Sequence, residues 1–321
     1  MTPIIGFLVF LFLRIIRAAS SQTIFFLWVS LELNIVSVLP LMGAKSSFFS
    51  SEIRLKYFIS QRIASIFFIF STLGFLVSAP SIISIIIITS ILFKLGIPPF
   101  HSWLLSILLI SPYKLMVLIL IIQKFIPLHI FSSINIEPLL LIWSAIFSLA
   151  VISLNLKNIN NLRIRLILSA WGNTLWLCIA AVISSSWIIF LFLYGIFLLT
   201  VILNLEWLNV QKLASFLSLR YFSKTVRLIN FLRLAGLPPL SGFFIKLFLL
   251  KVLIFSAPSF LILLLLISSL IVLYAYIIIS YYVLRAPFSI TNFNTTKTPV
   301  LFLRIISLSW GALPILFLLS S

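Results

Sequence analysis

The chain holds one cysteine, two histidines and four acidic residues in 321 positions. A lone Cys178 excludes an internal disulfide framework and a cysteine-held metal or iron–sulfur site. His101 and His129, with no cysteine partners, are too few for a metal site. There is no phosphate-cradling glycine loop, no G-x-G-x-x-G and no nucleophile elbow, so the chain shows no machinery of its own for nucleotide or redox chemistry. Charged residues make up 8%, against about a quarter in soluble chains. That is too few to cover a water-facing surface, and the lack excludes an ordinary soluble domain.

What is present is apolar. The chain is 63% hydrophobic, with a mean hydropathy of +1.33. Apolar residues come in runs of about 20, the length of a transmembrane helix, and not in the alternating segments of a membrane barrel. The runs lie at 3–19, 22–43, 57–77, 81–110, 112–131, 138–154, 163–183, 187–205, 228–254, 259–284 and 300–319. They predict an all-α, polytopic transmembrane bundle of about 11 spans, forming one integral membrane domain over residues 1–321. Pro3 to Leu13 is apolar with Arg14 and Arg17 after it, the reverse of a signal peptide, and is expected to be the first span. The run 81–110 is too long for one straight crossing and contains Gly96, Pro98 and Pro99, so it reads as a broken helix. The longest connections, 44–56 and 206–227, are polar and Ser-rich and read as loops.

The 22 Lys and Arg give a net charge of +18. No run of them is long enough to track phosphates, so nucleic acid is not a partner. They sort by side instead. Lys45, Arg54, Lys56, Lys114, Lys157, Arg163, Arg165, Lys212, Arg220, Lys224, Arg227, Arg285, Lys297 and Arg304 fall on one face of an 11-span topology. Arg14 and Arg17 fall on the other. This is the positive-inside pattern, and it places the N-terminus on the basic face.

A small remainder is expected inside the membrane. Glu32 lies near the middle of the second run, Lys94 beside the Gly96–Pro99 break, and Lys124 and Lys246 in mid-run. A charge at the bilayer centre costs about 2.5–3.5 kcal/mol on insertion scales, so four together cost on the order of 10–14 kcal/mol unless they face each other or water. Pro98, Pro127 and the pair Pro238–Pro239 sit near the three lysines. Each proline removes an N–H and frees a carbonyl, which lipid tolerates only where protein or water satisfies it. Buried lysines beside such breaks, with one carboxylate, suit a proton relay. The plainer reading is that they snorkel or lock helices together. Lys251, Arg62 and Arg233 are expected to snorkel. His101 either bonds loosened backbone after the break or handles protons, and His129 reads as interfacial. Glu137 before Pro138 reads as a helix N-terminal charge, Glu52 as a loop acid and Glu206 as a span end beside Trp207.

At these residues the chain resembles the NADH–ubiquinone oxidoreductase chain 2 family, an antiporter-like membrane subunit of mitochondrial respiratory complex I. The resemblance is carried by Glu32-x-Asn34 followed by Pro40-Leu41; by Lys94-x-Gly96-x-Pro98-Pro99-Phe100-His101-x-Trp103; by Pro112 and then Gln123-Lys124-x-x-Pro127; and by Leu234-x-Gly236-Leu237-Pro238-Pro239-Leu240-Ser241-Gly242-Phe243 with Lys246. The matches keep the family's order over about residues 28–250. Leu105 and Ser106 replace the family's Pro-Glu after the tryptophan. Asn173 replaces the histidine of its H-x-G-W element, and Ala235 the first glycine of G-G-L-P-P.

The resemblance implies an antiporter-like fold and a role in proton translocation coupled to quinone reduction. Glu32 and Lys94 would form a coupling pair, with Lys124 the central and Lys246 the terminal proton site. It implies no cofactor in this chain, the NADH, FMN, iron–sulfur clusters and ubiquinone being used elsewhere in the complex. It implies neighbouring antiporter-like and small core subunits, accessory subunits and lipids as partners, in the mitochondrial inner membrane. The rival readings are a cation/proton antiporter subunit and a scaffold whose charges only lock helices.

Overall fold

The structure, a computed structural model, describes residues 2–21, 23–42, 48–74, 80–133, 138–155, 161–206, 213, 221–238 and 240–285. The expected last span at 300–319, the Glu137 charge, Trp207, Pro239 and the basic residues Lys45, Lys157, Lys212, Arg220, Lys297 and Arg304 lie outside the described residues.

Within them the chain is all-helical and has no strand. The helices are α1 (Thr2–Ser20), α2 (Ile24–Met42), α3 (Phe48–Gly74), α4 (Pro80–Leu95), α5 (Ser102–Ile110), α6 (Tyr113–Leu120), a 3-10 turn (Ile122–Lys124), α7 (Phe125–Ser133), α8 (Pro138–Asn155), α9 (Leu162–Ile183), α10 (Trp187–Glu206), α11 (Tyr221–Ala235), α12 (Ser241–Ser256) and α13 (Ser259–Arg285). Among the described residues, five stretches are long and apolar enough to cross a bilayer: Ile24–Met42, Tyr113–Ser133, Leu162–Ile183, Trp187–Glu206 and Ser259–Arg285. The chain is therefore membrane-embedded.

Lipid dictates this architecture, because a helix bonds its own backbone and needs no water. The serines follow the same rule. Ser30, Ser37, Ser60, Ser71, Ser90 and Ser148 are buried and each donates to the carbonyl three residues back in its own helix. A hydroxyl satisfied this way adds almost no polarity to the helix surface. Large apolar side chains such as Phe70, Phe192 and Phe255 stand exposed along the helices, as a lipid-facing surface requires.

The chain divides into two compact units, Met1–Ser148 with Thr174–Trp187, and Leu149–Asn173 with Ile188–Ser321. In the first, α1 packs on α2, α2 on α3 and α3 on α4, while α7 lies against α1, α2 and α4. Leu31, Ile35, Val38, Phe68, Ile88, Met116 and Phe131 fill its interior. In the second, α11 packs against α12 and α13. Tyr276 stacks on Phe231 at 5.4 Å between ring centres and donates to Ser169 Oγ at 2.8 Å.

Two loop expectations change. The stretch 44–56 is not a loop throughout: α3 begins at Phe48 and carries Glu52 and Lys56 as an (i, i+4) ion pair at 2.5 Å. A polar, Ser-rich sequence is compatible with helix. Likewise α11 begins at Tyr221, inside the expected 206–227 loop, and carries Arg227 buried. Arg165 is also buried within α9, donating to Ala275 O at 3.1 Å. Arg227 therefore lies in a helix and not in the expected loop, and Arg165 lies buried inside the span expected to hold it.

The breaks share one construction. Helix α4 ends at Leu95, and Gly96 takes the left-handed conformation at φ 66°. Gly96 N–H bonds Phe93 O at 3.1 Å, and Ile97 N–H bonds Leu92 O at 3.2 Å. This is the Schellman termination, whose left-handed position favours glycine. Helix α11 ends the same way: Gly236 has φ 83°, its N–H bonds Arg233 O at 3.1 Å, and Leu237 N–H bonds Leu232 O at 3.1 Å. So the expected run 228–254 is also broken, into α11 and α12.

Candidate functional site

In the first unit, Glu32 sits midway along α2, beside the fully buried Leu31 and Ile35. Its Oε2 lies 2.5 Å from Arg62 Nη1 on α3. Arg62 also stands over the Phe58 ring, 5.1 Å from its centre. Arg62, expected only to snorkel, is thus the ion partner of the intramembrane carboxylate. A carboxylate in lipid needs such a cation, because its desolvation otherwise costs several kcal/mol.

Lys94 occupies the last turn of α4, one residue from the helix end, and is 7% exposed. Glu32 and Arg62 both act on it electrostatically. Its Nζ has no hydrogen-bond acceptor among the described residues. The coupling pair implied for Glu32 and Lys94 is here a three-member group, with Arg62 holding the direct contact.

The carbonyls freed at the Lys94 break are collected by side chains. Trp103 Nε1 donates to Phe93 O at 3.1 Å, and Gln61 Nε2 donates to Lys94 O at 3.4 Å. The tryptophan of the F-H-x-W element therefore caps the helix that precedes the break. His101 Nδ1 lies 3.1 Å from Pro99 O, a contact with loosened backbone.

Lys124 closes the 3-10 turn between α6 and α7 and is 3% exposed. Pro127 lacks the N–H that would bond Gln123 O one turn back, which accounts for the loosened winding here. Cys178 is also buried in this unit. His129 lies in α7 one turn from its end at Ser133, stacked on Phe125 at 6.4 Å and beside Trp187.

In the second unit, Lys246 lies in α12 and is 8% exposed. Its Nζ donates to Ala235 O at 2.9 Å. Ala235 closes α11, so the ammonium rests on the negative end of that helix. A cavity next to it is lined by Asn173, Tyr194, Phe197, Arg233, Gly242 and Lys246. Arg233 does not snorkel: it is 2% exposed, with its guanidinium 5.6 Å from the Phe197 ring centre. Lys251 is exposed on α12. Among the described residues no group of three or more His, Cys, Asp or Glu could hold a metal.

Sequence reasoning passed over Gln61, Tyr57 and Tyr194, and read Arg62 and Arg233 only as snorkelling residues. Their signal was weak, since each is a single polar residue inside an apolar or mixed helix. For Arg62 a signal existed: the one mid-membrane acid requires a cation on an adjacent helix.

The fold recurs in solved membrane complexes. A chain of respiratory complex I from Thermus thermophilus matches with a TM-score of 0.76 at 19% identity, covering 96% of this chain and 75% of that one. A chain of the Mrp complex from Dietzia sp. DQ12-45-1b matches at 0.73 and 13% identity, covering 90% and 61%. These likenesses show a fold shared with helical chains of multi-subunit membrane complexes, and the apolar helices make this an integral membrane chain. No family model matches the chain. NADH-ubiquinone oxidoreductase chain 2 of Rhipicephalus sanguineus is 32% identical over 298 residues, covering 89% of this chain and 92% of that protein. The chain belongs to the NADH-ubiquinone oxidoreductase chain 2 family and is a membrane subunit of that respiratory enzyme complex.

Proposed function

We propose that this subunit moves protons across the mitochondrial inner membrane through Glu32, Lys94, Lys124 and Lys246. The observation that carries the reading is that all three lysines are buried and each adjoins a helix discontinuity or its freed carbonyls. The full chain crosses the membrane about 11 times, with the basic face toward the matrix. It holds no cofactor and docks against neighbouring antiporter-like and small core subunits, accessory subunits and lipids.

Quinone reduction elsewhere in the complex perturbs the Glu32–Arg62–Lys94 group electrostatically. A change of charge there alters the proton affinity of Lys94 and next of Lys124, and the proton leaves past Lys246. The interaction is strong because opposite charges at close range are little screened away from water. The test is Lys124→Met in the assembled complex, read as protons moved per electron. The expected result is a lower ratio; an unchanged ratio and unchanged coupled electron transfer overturn the relay.

The alternative is a cation/proton antiporter subunit, whose support is the fold likeness to the Mrp complex chain. Vesicles holding the purified protein distinguish the two, because an antiporter exchanges cations without NADH or quinone.

A further inference from the structure

Helix α3 passes both helix breaks of the first unit, and two of its side chains reach them. Gln61 donates to the carbonyl of Lys94 at 3.4 Å. One turn earlier, the Tyr57 hydroxyl accepts a 2.7 Å hydrogen bond from Gln123 Nε2. Gln123 adjoins Lys124 in the 3-10 turn. Residues four apart on a helix share a face, with Cβ atoms about 5–6 Å apart. Tyr57 and Gln61 are thus two rungs on one rigid element, one rung on each break.

The connection is closed from the other side. The Trp103 ring stands edge-on to Tyr57 at 6.4 Å, while its N–H holds Phe93 O at the Lys94 break. Tyr57 is 1% exposed and Gln61 6%, although each carries polar atoms. Apolar residues fill an α3 face in lipid at lower cost, since burying a polar group is unfavourable unless it is bonded. Helix locking alone does not require both partners to be backbone or neighbours of the two buried lysines.

We propose that Tyr57 is a positioning residue that links the Lys94 break to the Lys124 turn. Its hydroxyl fixes Gln123, and through it the winding that aims Lys124. Gln61 ties the same face of α3 to the carbonyl of Lys94. A shift at the first lysine is carried to the second by α3 as a lever. This inference rests on the proton-moving reading of the two lysines.

The experiment is Tyr57→Phe in the assembled complex, which removes the hydroxyl and keeps the ring on Trp103. The readouts are protons per electron and the pH profile of that ratio, each per assembled complex. Loss of one hydrogen bond biases the turn by roughly fivefold, so the ratio is expected to fall and its pH profile to move. Gln123→Met removes the same bond from the other side, and the double variant is expected to lose no more than either single one. A merely structural role reduces the amount of complex and leaves the profile unmoved, which overturns the inference. Failure of both single variants to assemble overturns it as well. If Lys124→Met lowers the ratio while Tyr57→Phe does not, the linkage fails and the relay stands; if Lys124→Met also leaves it unchanged, the relay itself fails.

Discussion

Gly242 is the position where one added carbon tests how Lys246 is held. A Cβ there would lie 1.9 Å from Arg233 O, where Cβ atoms essentially never come within 3.0 Å. The obstacle is backbone at the end of α11, which has no rotamer to relieve it. Gly242→Ala therefore pushes the start of α12 away from the end of α11 by about 1.1 Å, the shortfall between those two distances. The Lys246–Ala235 O bond spans the same gap at 2.9 Å. Lengthened by that amount it passes the limit of a hydrogen bond. Overpacking costs about 1–3 kcal/mol and the lost bond to a charged donor about 1.5–3 kcal/mol. Together these are large against the stability of a typical domain. The assay is the thermal midpoint of the assembled complex, with the proton-to-electron ratio measured on what survives. The midpoint is expected to fall by several degrees and the ratio to fall with it. A variant with the wild-type midpoint and ratio refutes the close approach of α12 to Arg233 O and the helix-end seat of Lys246.

Arg62→Gln leaves Glu32 without its partner and is expected to lower complex abundance, while Glu32→Gln with Arg62→Gln is expected to recover part of it. Arg62 is partly exposed, so the coupling is about 1 kcal/mol, below that of a fully buried pair; additive losses in a double-mutant cycle refute the pairing. Trp103→Phe keeps most of the ring and loses the donor to Phe93 O, a loss of about 1 kcal/mol in the stability of the α4 end. Faster amide exchange at Gly96 and Ile97 is the measurement, and unchanged exchange counts against the cap.

The break at Gly96 was readable in the sequence because its chemistry is local, while the same chemistry at Gly236 was passed over inside an apolar run. Gly96 and Gly236 supply the left-handed residue, and Pro98 and Pro238 two positions on are residues that disfavour continued helix. The buried lysines were readable because a charge inside an apolar run stands out by hydropathy alone. The partners were not readable. Gln61 reaches Lys94 O across 33 positions and Gln123 reaches Tyr57 across 66, and no local pattern encodes such pairings. The burial of Arg165 and Arg227 was unreadable for a related reason: it is decided by helices from elsewhere in the chain. The starts of α3 and α11 were missed because apolar runs mark where lipid begins, not where helix begins.

The helix-end seat of Lys246 bears on the shortage of acid in this chain. A terminated helix presents about half a negative charge through its last carbonyls, and two helices end by the same turn. Such an end needs no carboxylate, so it holds a cation without adding a group that titrates in competition with it. A polypeptide with four acids and 22 basic residues can thus draw negative potential from peptide bonds. The charge at such a seat is fixed by covalent structure, and a lysine that loses its proton there leaves the seat itself unaltered.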